Sequence, residues 1–193
     1  MYGLVSPDDV VRGYALARHR DLIAQAGEAL HRGNWHWSRT GYGDMLAAAQ
    51  AAYAEMRALQ GATIFGMTAV PEFAVLYLRW EVDFPHEWGA AEVNMWSPWS
   101  RKEGLLRKFG RDGVPDEIKV PIADLLDAVL RRPYRCKDWM YAQVARHVDY
   151  IGRLEALQRQ RLLRAEFIRY VIDNPRVHIT RKTWARWLDR RQG

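Results

Sequence analysis

Five arginines fall within the eighteen residues RLEALQRQRLLRAEFIRY, which run from Arg153 to Tyr170. Only two acids, Glu155 and Glu166, interrupt them. Guanidinium groups form paired hydrogen bonds with phosphate oxygens. A helix face that only maintains solubility usually mixes the two signs of charge at i, i+4 spacing. This pattern therefore favours a surface that binds a polyanion.

The spacing of these arginines also predicts a geometry. A helix turns 100° per residue, so residues 7, 11 or 18 positions apart lie on nearly the same face. On one continuous helix, the arginines from Arg135 to Arg164 would form a stripe about 44 Å long, which could contact several phosphates. The alternative is that they cover apolar surface and stay solvated. Including the last helix, the candidate nucleic-acid-binding residues are Arg135, Arg146, Arg153, Arg161, Arg164, Arg181, Lys182, Arg186, Arg190 and Arg191.

Tryptophans in the segments expected to be loops form a second group of candidates. Trp35, Trp37, Trp88, Trp96 and Trp99 stand among Gly, Asn, Ser and Pro. Exposed tryptophans in such segments can stack on the bases of a single strand. The alternative is that each one closes an edge of the hydrophobic core.

One short motif raises the possibility of phosphodiester hydrolysis. Glu117 and Lys119 have the spacing of the second half of a restriction-type nuclease core, in which carboxylates bind Mg²⁺ and the lysine stabilises developing charge. Glu81 or Asp83 would supply the missing acid from a strand. The motif is only three residues long and is expected by chance in a charged chain, so the nuclease is the least favoured alternative.

Other catalytic arrangements are not indicated. Cys136 and His147 would share a helix face, but at about 16 Å apart on a straight helix they cannot form a nucleophile–base pair. The histidines show no i, i+4 metal-ligand spacing, and the glycine-rich phosphate loops are absent. We therefore expect a protein that is not an enzyme and needs neither a metal nor a cofactor.

The bulk composition describes a folded, basic chain. Its 193 residues are 49% hydrophobic, and the net charge of +6 is uneven. Residues 1–134 hold 15 Lys+Arg against 17 Asp+Glu (−2), and residues 135–193 hold 14 against 6 (+8). One cysteine, no signal-peptide pattern and no apolar run of about 20 residues predict a cytoplasmic protein without a membrane partner.

The expected fold is mainly α: a helical bundle with one long C-terminal helix, or two stacked helices broken near Gly152. We expect a single domain, 1–193, divided at most into an N-terminal lobe, 1–110, and a basic helical lobe, 111–193. Strict alternation of apolar and charged residues from Leu78 to Phe84 favours a strand from about residue 75 and a small β element around 62–96. The alternative is a helix, because Pro71 followed by Glu72 suits a first helical turn. The predicted helices cover 7–32 (ending at Gly33), 44–60, 97–110, 121–132 and 135–173, with a last short helix capped by Thr180.

Together these features predict a non-catalytic protein that binds nucleic-acid backbone, with RNA or single-stranded DNA favoured. In size, charge and helical content the chain resembles the small helical subunits of CRISPR effector complexes. That resemblance implies a subunit of a larger ribonucleoprotein with other protein subunits as partners, and it assigns no site residue. A regulator of phage or plasmid type that binds an acidic host protein is the alternative. The segment HITRKTWARWLDRR also resembles the second helix of a helix-turn-helix motif.

Overall fold

The computed structural model describes residues 1–41, 43–160 and 162–192, and within them the chain is helical with no strand. The predicted mainly α fold is therefore confirmed. The chain divides into two compact units, Met1–Ser97 and Pro98–Gly193. None of the described helices combines the length and the apolar character that a membrane crossing requires.

The first unit is built on a helical hairpin in which α1 and α2 pack against each other. The carboxylate of Asp8 begins α1 by accepting hydrogen bonds from the backbone N–H groups of Val10 and Val11. Short 3₁₀ turns at Tyr2–Val5 and Ala91–Val93 pack against α1. The helices of this unit are α1 (Asp9–Trp37), α2 (Met45–Gly61), α3 (Ile64–Met67), α4 (Pro71–Asp83) and α5 (Pro85–Gly89).

Helix α1 does not end at Gly33 as predicted but continues to Trp37. A Cβ atom at Gly33 would lie 2.6 Å from the ring of Tyr53 in α2. The glycine is therefore needed for the close approach of two helices, and its resemblance to a helix stop signal was misleading.

The strand predicted from about residue 75 is wrong, because residues 75–83 lie in helix α4. Pro71 occupies its first turn, where its missing N–H leaves no helical hydrogen bond unmade. The buried residues follow the helical spacing i, i+1, i+3, i+4, i+6, i+7. They are Ala74, Val75, Tyr77, Leu78, Trp80 and Glu81.

The second unit is centred on a short helix, α8, against which both α6 and α10 pack. Residue 110, the predicted lobe boundary, lies inside α6. The helices of this unit are α6 (Pro98–Asp112), α7 (Lys119–Arg131), α8 (Tyr141–Val144), α9 (Ile151–Gln158), α10 (Leu163–Asp173) and α11 (Arg181–Gln192).

The long helix predicted from 135 to 173 does not form. Three α-helices and two 3₁₀ turns lie within this segment, and the chain is extended at Val148 and again at Leu162. Gly152 lies inside α9, so it does not mark the break. The break comes just before Tyr150, whose side chain is fully buried and whose hydroxyl donates a 2.5 Å hydrogen bond to Asp127 of α7. Burying this ring against α7 turns the chain away from a straight path.

Candidate nucleic-acid interface

Arg146 closes the C-terminal end of α10. Its Nε donates to the carbonyl oxygen of Val171 at 3.1 Å, and its Nη2 donates to the carbonyl oxygens of Asn174 and Val177 at 3.0 Å each. The last carbonyl groups of a helix have no partner within the helix, and a cation there also opposes the helix dipole. Burial lowers the pKa of this guanidinium from its ordinary value. Arg146 is therefore occupied inside the fold.

Arg164 does the same for α7. Its guanidinium donates to the carbonyl oxygens of Val129 at 2.8 Å and Leu130 at 2.9 Å, and also to that of Arg132. Burial lowers its pKa as well, although the carboxylate of Asp138 acts in the opposite direction. A phosphate would have to compete with these carbonyl groups for the same donors.

The carboxylate of Asp138 organises the surrounding cations of the second unit. It accepts hydrogen bonds from Lys102 Nζ at 2.7 Å, from both terminal nitrogens of Arg132 at 2.9 and 3.1 Å, and from the backbone N–H of Arg135 at 2.7 Å. Arg164 Nη1 lies 3.5 Å from the same carboxylate. The side chains of Lys102 and Asp138 are both fully buried. This cluster holds the unit together and is closed to a large polyanion.

Two further members of the predicted stripe, Arg153 and Arg135, lie in the described part of the chain and are also held by contacts within the unit. Arg153 is exposed but bonds to Asp124 at 2.5 Å and Asp127 at 3.4 Å, and these carboxylates raise its pKa. Arg135 is half-buried beside the Asp138 cluster, and Arg161 lies outside the described residues. The structure therefore does not bring the described arginines of the predicted stripe together on one face. A role of Arg153 or Arg135 in binding stays a prediction.

Most of the predicted cations of α11 are exposed and unpaired among the described residues, unlike Arg146, Arg153 and Arg164. Arg181, Lys182, Arg186 and Arg190 are exposed, and none of them takes part in an ion pair among the described residues. Lys182, Arg186 and Arg190 follow each other at four-residue spacing, so they lie along one side of the helix over about 12 Å. We call these three residues the α11 ridge. Guanidinium and ammonium groups held in this way are free to neutralise phosphates.

The opposite side of α11 is fixed to α10 by aromatic packing. The ring of Trp184 meets Phe167 edge to face at 4.7 Å, and Trp187 meets the same ring at 5.2 Å. Arg191, the last predicted cation, pairs with Glu166 and lies over the ring of Trp187. Thr180 caps the helix by accepting from the backbone N–H of Thr183 at 3.1 Å. These contacts orient the α11 ridge away from the packed side.

Charge differs sharply between the two units. Residues 1–97 carry 7 Lys+Arg against 11 Asp+Glu, a net charge of −4. Residues 98–193 carry 22 against 12, a net charge of +10. The whole excess of positive charge therefore belongs to the unit that contains α11.

Four of the five tryptophans predicted to lie in loops lie in helices instead, namely in α1, α5 and α6. Trp88 is 1% exposed and belongs to the core, whereas Trp37 and Trp96 are more than half exposed. Trp35 lies in the last turns of α1, where the guanidinium of Arg39 lies 4.2 Å from its ring centroid. Trp99 lies in α6, and Lys102 Nζ is 5.5 Å from its ring centroid.

The strand required by the nuclease alternative is helix α4, in which Glu81 is buried and Asp83 pairs with Arg79. Lys119 pairs with Asp116 at 2.6 Å. No group of three or more His, Cys, Asp or Glu side chains in the described part of the chain could hold a metal ion. The geometry offers no support for a magnesium site around Glu117.

The helix-turn-helix alternative depends on the connection between α10 and α11. Residues 174–180 separate the two helices. A helix-turn-helix motif has a turn of about three or four residues. The longer connection does not match that motif, and the cations of α11 lie along the helix and not only at its N-terminal end.

No protein-family model, curated protein or solved structure matches this chain. The interpretation of the site therefore depends on its own residues.

Sequence reasoning missed one part of this surface. The ring of Tyr134, which lies just after α7, is parallel to that of Trp184 to within 1°, with the centroids 6.1 Å apart. Tyr134 is 47% exposed. The two residues are fifty positions apart, and no local pattern connects them. The only signal in the sequence is the presence of arginines on both sides of the Pro133–Tyr134 pair.

Proposed function

We propose that this chain is a non-catalytic nucleic-acid-binding protein that contacts the backbone of RNA or single-stranded DNA through the exposed cations of α11. The observation that carries this proposal is the contrast between paired and unpaired cations in the second unit. Arg146, Arg153 and Arg164 are occupied by carbonyl or carboxylate groups. The α11 ridge and Arg181 are exposed and have no ion-pair partner among the described residues.

The arrangement suits backbone contacts better than reading of sequence. Phosphate contacts position a protein on a strand but do not distinguish bases. Three cations in a row about 12 Å long, with Arg181 nearby at the start of the helix, match a charged strand. Sequence readout would require side chains that match the edges of individual bases. Affinity should therefore depend strongly on salt and weakly on sequence.

The proposal can be tested by fluorescence anisotropy with short single-stranded RNA, single-stranded DNA and duplex DNA across a salt series. Each phosphate neutralised on a single strand contributes about −0.7 to the slope of log K against log salt. Four contacts therefore predict a slope of about −2.8. Absence of binding to all three nucleic acids at low salt would contradict the proposal. An acidic protein partner, the alternative function, would then be sought.

The second part of the proposal is that the chain acts as a subunit of a larger ribonucleoprotein. Val10 and Tyr14 lie at i, i+4 positions on α1 and are 67% and 77% exposed, so one side of this helix offers apolar surface to another protein. Crosslinking mass spectrometry of the tagged protein, purified from its own cells, should connect the start of α1 to other subunits. Purification of the chain with no other protein would contradict this part.

A cytoplasmic location is included in the proposal. The thiol of Cys136 is free and exposed. Exposed free thiols persist in reducing compartments and are oxidised elsewhere. Fractionation of the source cells would test the location, and recovery outside the cytoplasm would contradict it.

A further inference from the structure

Tyr134 and Trp184 form a parallel aromatic pair at the surface of the second unit. Their ring planes differ by 1° and their centroids lie 6.1 Å apart. Trp184 is half-buried and Tyr134 is 47% exposed. Trp184 is the inner ring of the pair and Tyr134 is the outer ring. The ring that a ligand can reach is therefore that of Tyr134.

Both members of the pair are held in place before any ligand arrives. Trp184 packs edge to face on Phe167 at 4.7 Å and stacks on Trp187 at 5.7 Å. On either side of Tyr134, Arg132 donates to the carbonyl oxygen of Pro133 at 2.9 Å and the backbone N–H of Arg135 donates to Asp138. A ring fixed in this way loses little conformational entropy when a ligand stacks on it.

Positive charge lies beside the pair. Arg181 and Lys182 occupy the first turn of α11, and Trp184 follows Arg181 by three residues on the same side. Burial and the carboxylate of Asp138 raise the pKa of the Tyr134 hydroxyl, and the charge of Arg181 acts in the opposite direction. An aromatic surface next to cations is the combination that single-strand-binding proteins use for a base and its phosphate.

The ligand would lie on the surface of the pair and not behind it. A cavity lined by Tyr134, Trp139, Trp184, Arg164 and Phe167 has a volume of about 10 Å³. This is roughly the space of one water molecule. A base cannot enter it, so stacking must use the outer face of Tyr134.

We infer that Tyr134, backed by Trp184, is a stacking site for one base of a single-stranded nucleic acid, with Arg181 contacting the adjoining phosphate. This inference rests on the proposed function and adds a preference for unpaired bases over duplex. The site is expected to tolerate any sequence, because every base has a π face. In a duplex the faces of the bases are covered by their neighbours.

The test compares a twelve-nucleotide thymidine strand with an abasic strand of the same length and charge, in anisotropy titrations at one salt concentration. The wild-type protein should bind the thymidine strand at least about 5-fold more tightly, which corresponds to the lower end of measured stacking contributions. Tyr134→Ala should remove this difference without changing affinity for the abasic strand. Tyr134→Phe should retain it. Tyr2→Ala, at an exposed tyrosine of the first unit, is the matched control and should also retain it.

The possible failures are distinguishable. If both strands bind and Tyr134→Ala leaves the difference between them unchanged, the stacking site is wrong but backbone binding stands. If the wild-type protein binds the two strands equally, the stacking site is also wrong and backbone binding also stands. If neither strand binds, the proposed function fails and the stacking inference fails with it. A circular-dichroism spectrum of each variant shows whether the fold is retained.

Discussion

The Nε atom of Arg146 donates a 3.1 Å hydrogen bond to the carbonyl oxygen of Val171, in the last turn of α10. Two further carbonyl oxygens, those of Asn174 and Val177, accept from the same guanidinium. An arginine in a strongly basic segment is thus a cap for a neighbouring helix. Sequence composition alone cannot separate this role from phosphate binding.

Replacing Arg146 with methionine should therefore destabilise the protein. The apolar stem is retained, but three carbonyl groups lose a charged donor, which should lower the free energy of unfolding by about 2–3 kcal/mol. Urea denaturation followed by circular dichroism measures the change. Arg186→Met, on the exposed ridge, is the control and should be indistinguishable from wild type. Equal stability of both variants would show that the Arg146 contacts are unimportant.

Asp138→Asn should lower the free energy of unfolding by more than Arg146→Met does. It removes the charge of the buried carboxylate that accepts from Lys102 Nζ, and breaking a buried ion pair costs about 3–5 kcal/mol. The same denaturation experiment on Asp124→Asn provides a comparison, because the pair of Asp124 with Arg153 is largely exposed. A similar loss in the two variants would argue against a buried Asp138 cluster.

Gly33→Ala and Gly27→Ala form a matched pair within α1. A Cβ at Gly33 would meet the ring of Tyr53 at 2.6 Å, whereas a Cβ at Gly27 meets nothing within 4 Å. Alanine at Gly27 should stabilise the helix by about 0.5–1 kcal/mol, and alanine at Gly33 should destabilise the hairpin by about 1–3 kcal/mol. Thermal unfolding of the two variants should therefore shift in opposite directions. A rise in melting temperature for both would contradict the close approach of α1 and α2.

His19 should make stability depend on pH. It is 1% exposed, its Nε2 lies 3.0 Å from the carbonyl oxygen of Val93, and its Nδ1 is buried with no hydrogen-bond partner among the described residues. Burial lowers its pKa, so the unfolded chain binds this proton more readily than the folded one. Stability is then fully present above pH about 6.5, the ordinary histidine value, and is lost as pH falls towards the lowered folded pKa.

Because His19 binds one proton, the free energy of unfolding cannot fall by more than about 1.4 kcal/mol for each unit by which the pH is lowered. Urea denaturation between pH 7.5 and pH 5 should show it in the wild-type protein. His19→Gln, which has an amide donor for the Val93 carbonyl and no titration in this range, should flatten the dependence. If the stability of His19→Gln depends on pH as strongly as that of the wild type, other groups cause the dependence.

The sequence predicted helix and charge well where the signal was local. Proline and acidic residues before α1, Thr180 before α11 and the basic character of the last third were all readable from neighbouring residues. The errors arose where tertiary contacts decided the outcome. Gly33 looked like a helix stop because its partner, Tyr53, is twenty residues away. The alternation from Leu78 to Phe84 looked like a strand because burial on several sides of α4 hides the helical period.

The candidate site was only partly predictable for the same reason. The cations of α11 could be identified from their spacing, and four of them are exposed without an ion pair among the described residues. Whether an arginine meets a carbonyl, as Arg164 does, or solvent, as Arg186 does, depends on residues more than twenty positions away. The Tyr134–Trp184 pair depends on a contact across fifty residues.

The central claim, that the α11 ridge contacts phosphates, can be tested with two triple variants of equal charge. Each replaces three basic residues with glutamine and lowers the net charge from +6 to +3. The ridge variant changes cations that have no ion pair among the described residues. The paired-arginine variant changes two exposed arginines and one half-buried arginine, each of which bonds to an acid in the same unit. The ridge variant is Lys182→Gln, Arg186→Gln and Arg190→Gln, and the paired-arginine variant is Arg107→Gln, Arg111→Gln and Arg169→Gln.

The decisive measurement is the salt dependence of binding to a twelve-nucleotide single strand by fluorescence anisotropy for the wild type and both variants. Loss of three phosphate contacts should reduce the slope of log K against log salt by about 2 in the ridge variant. The paired-arginine variant should keep nearly the wild-type slope. Equal slopes for the two variants would contradict the claim, because affinity would then depend on net charge and not on the cations of α11.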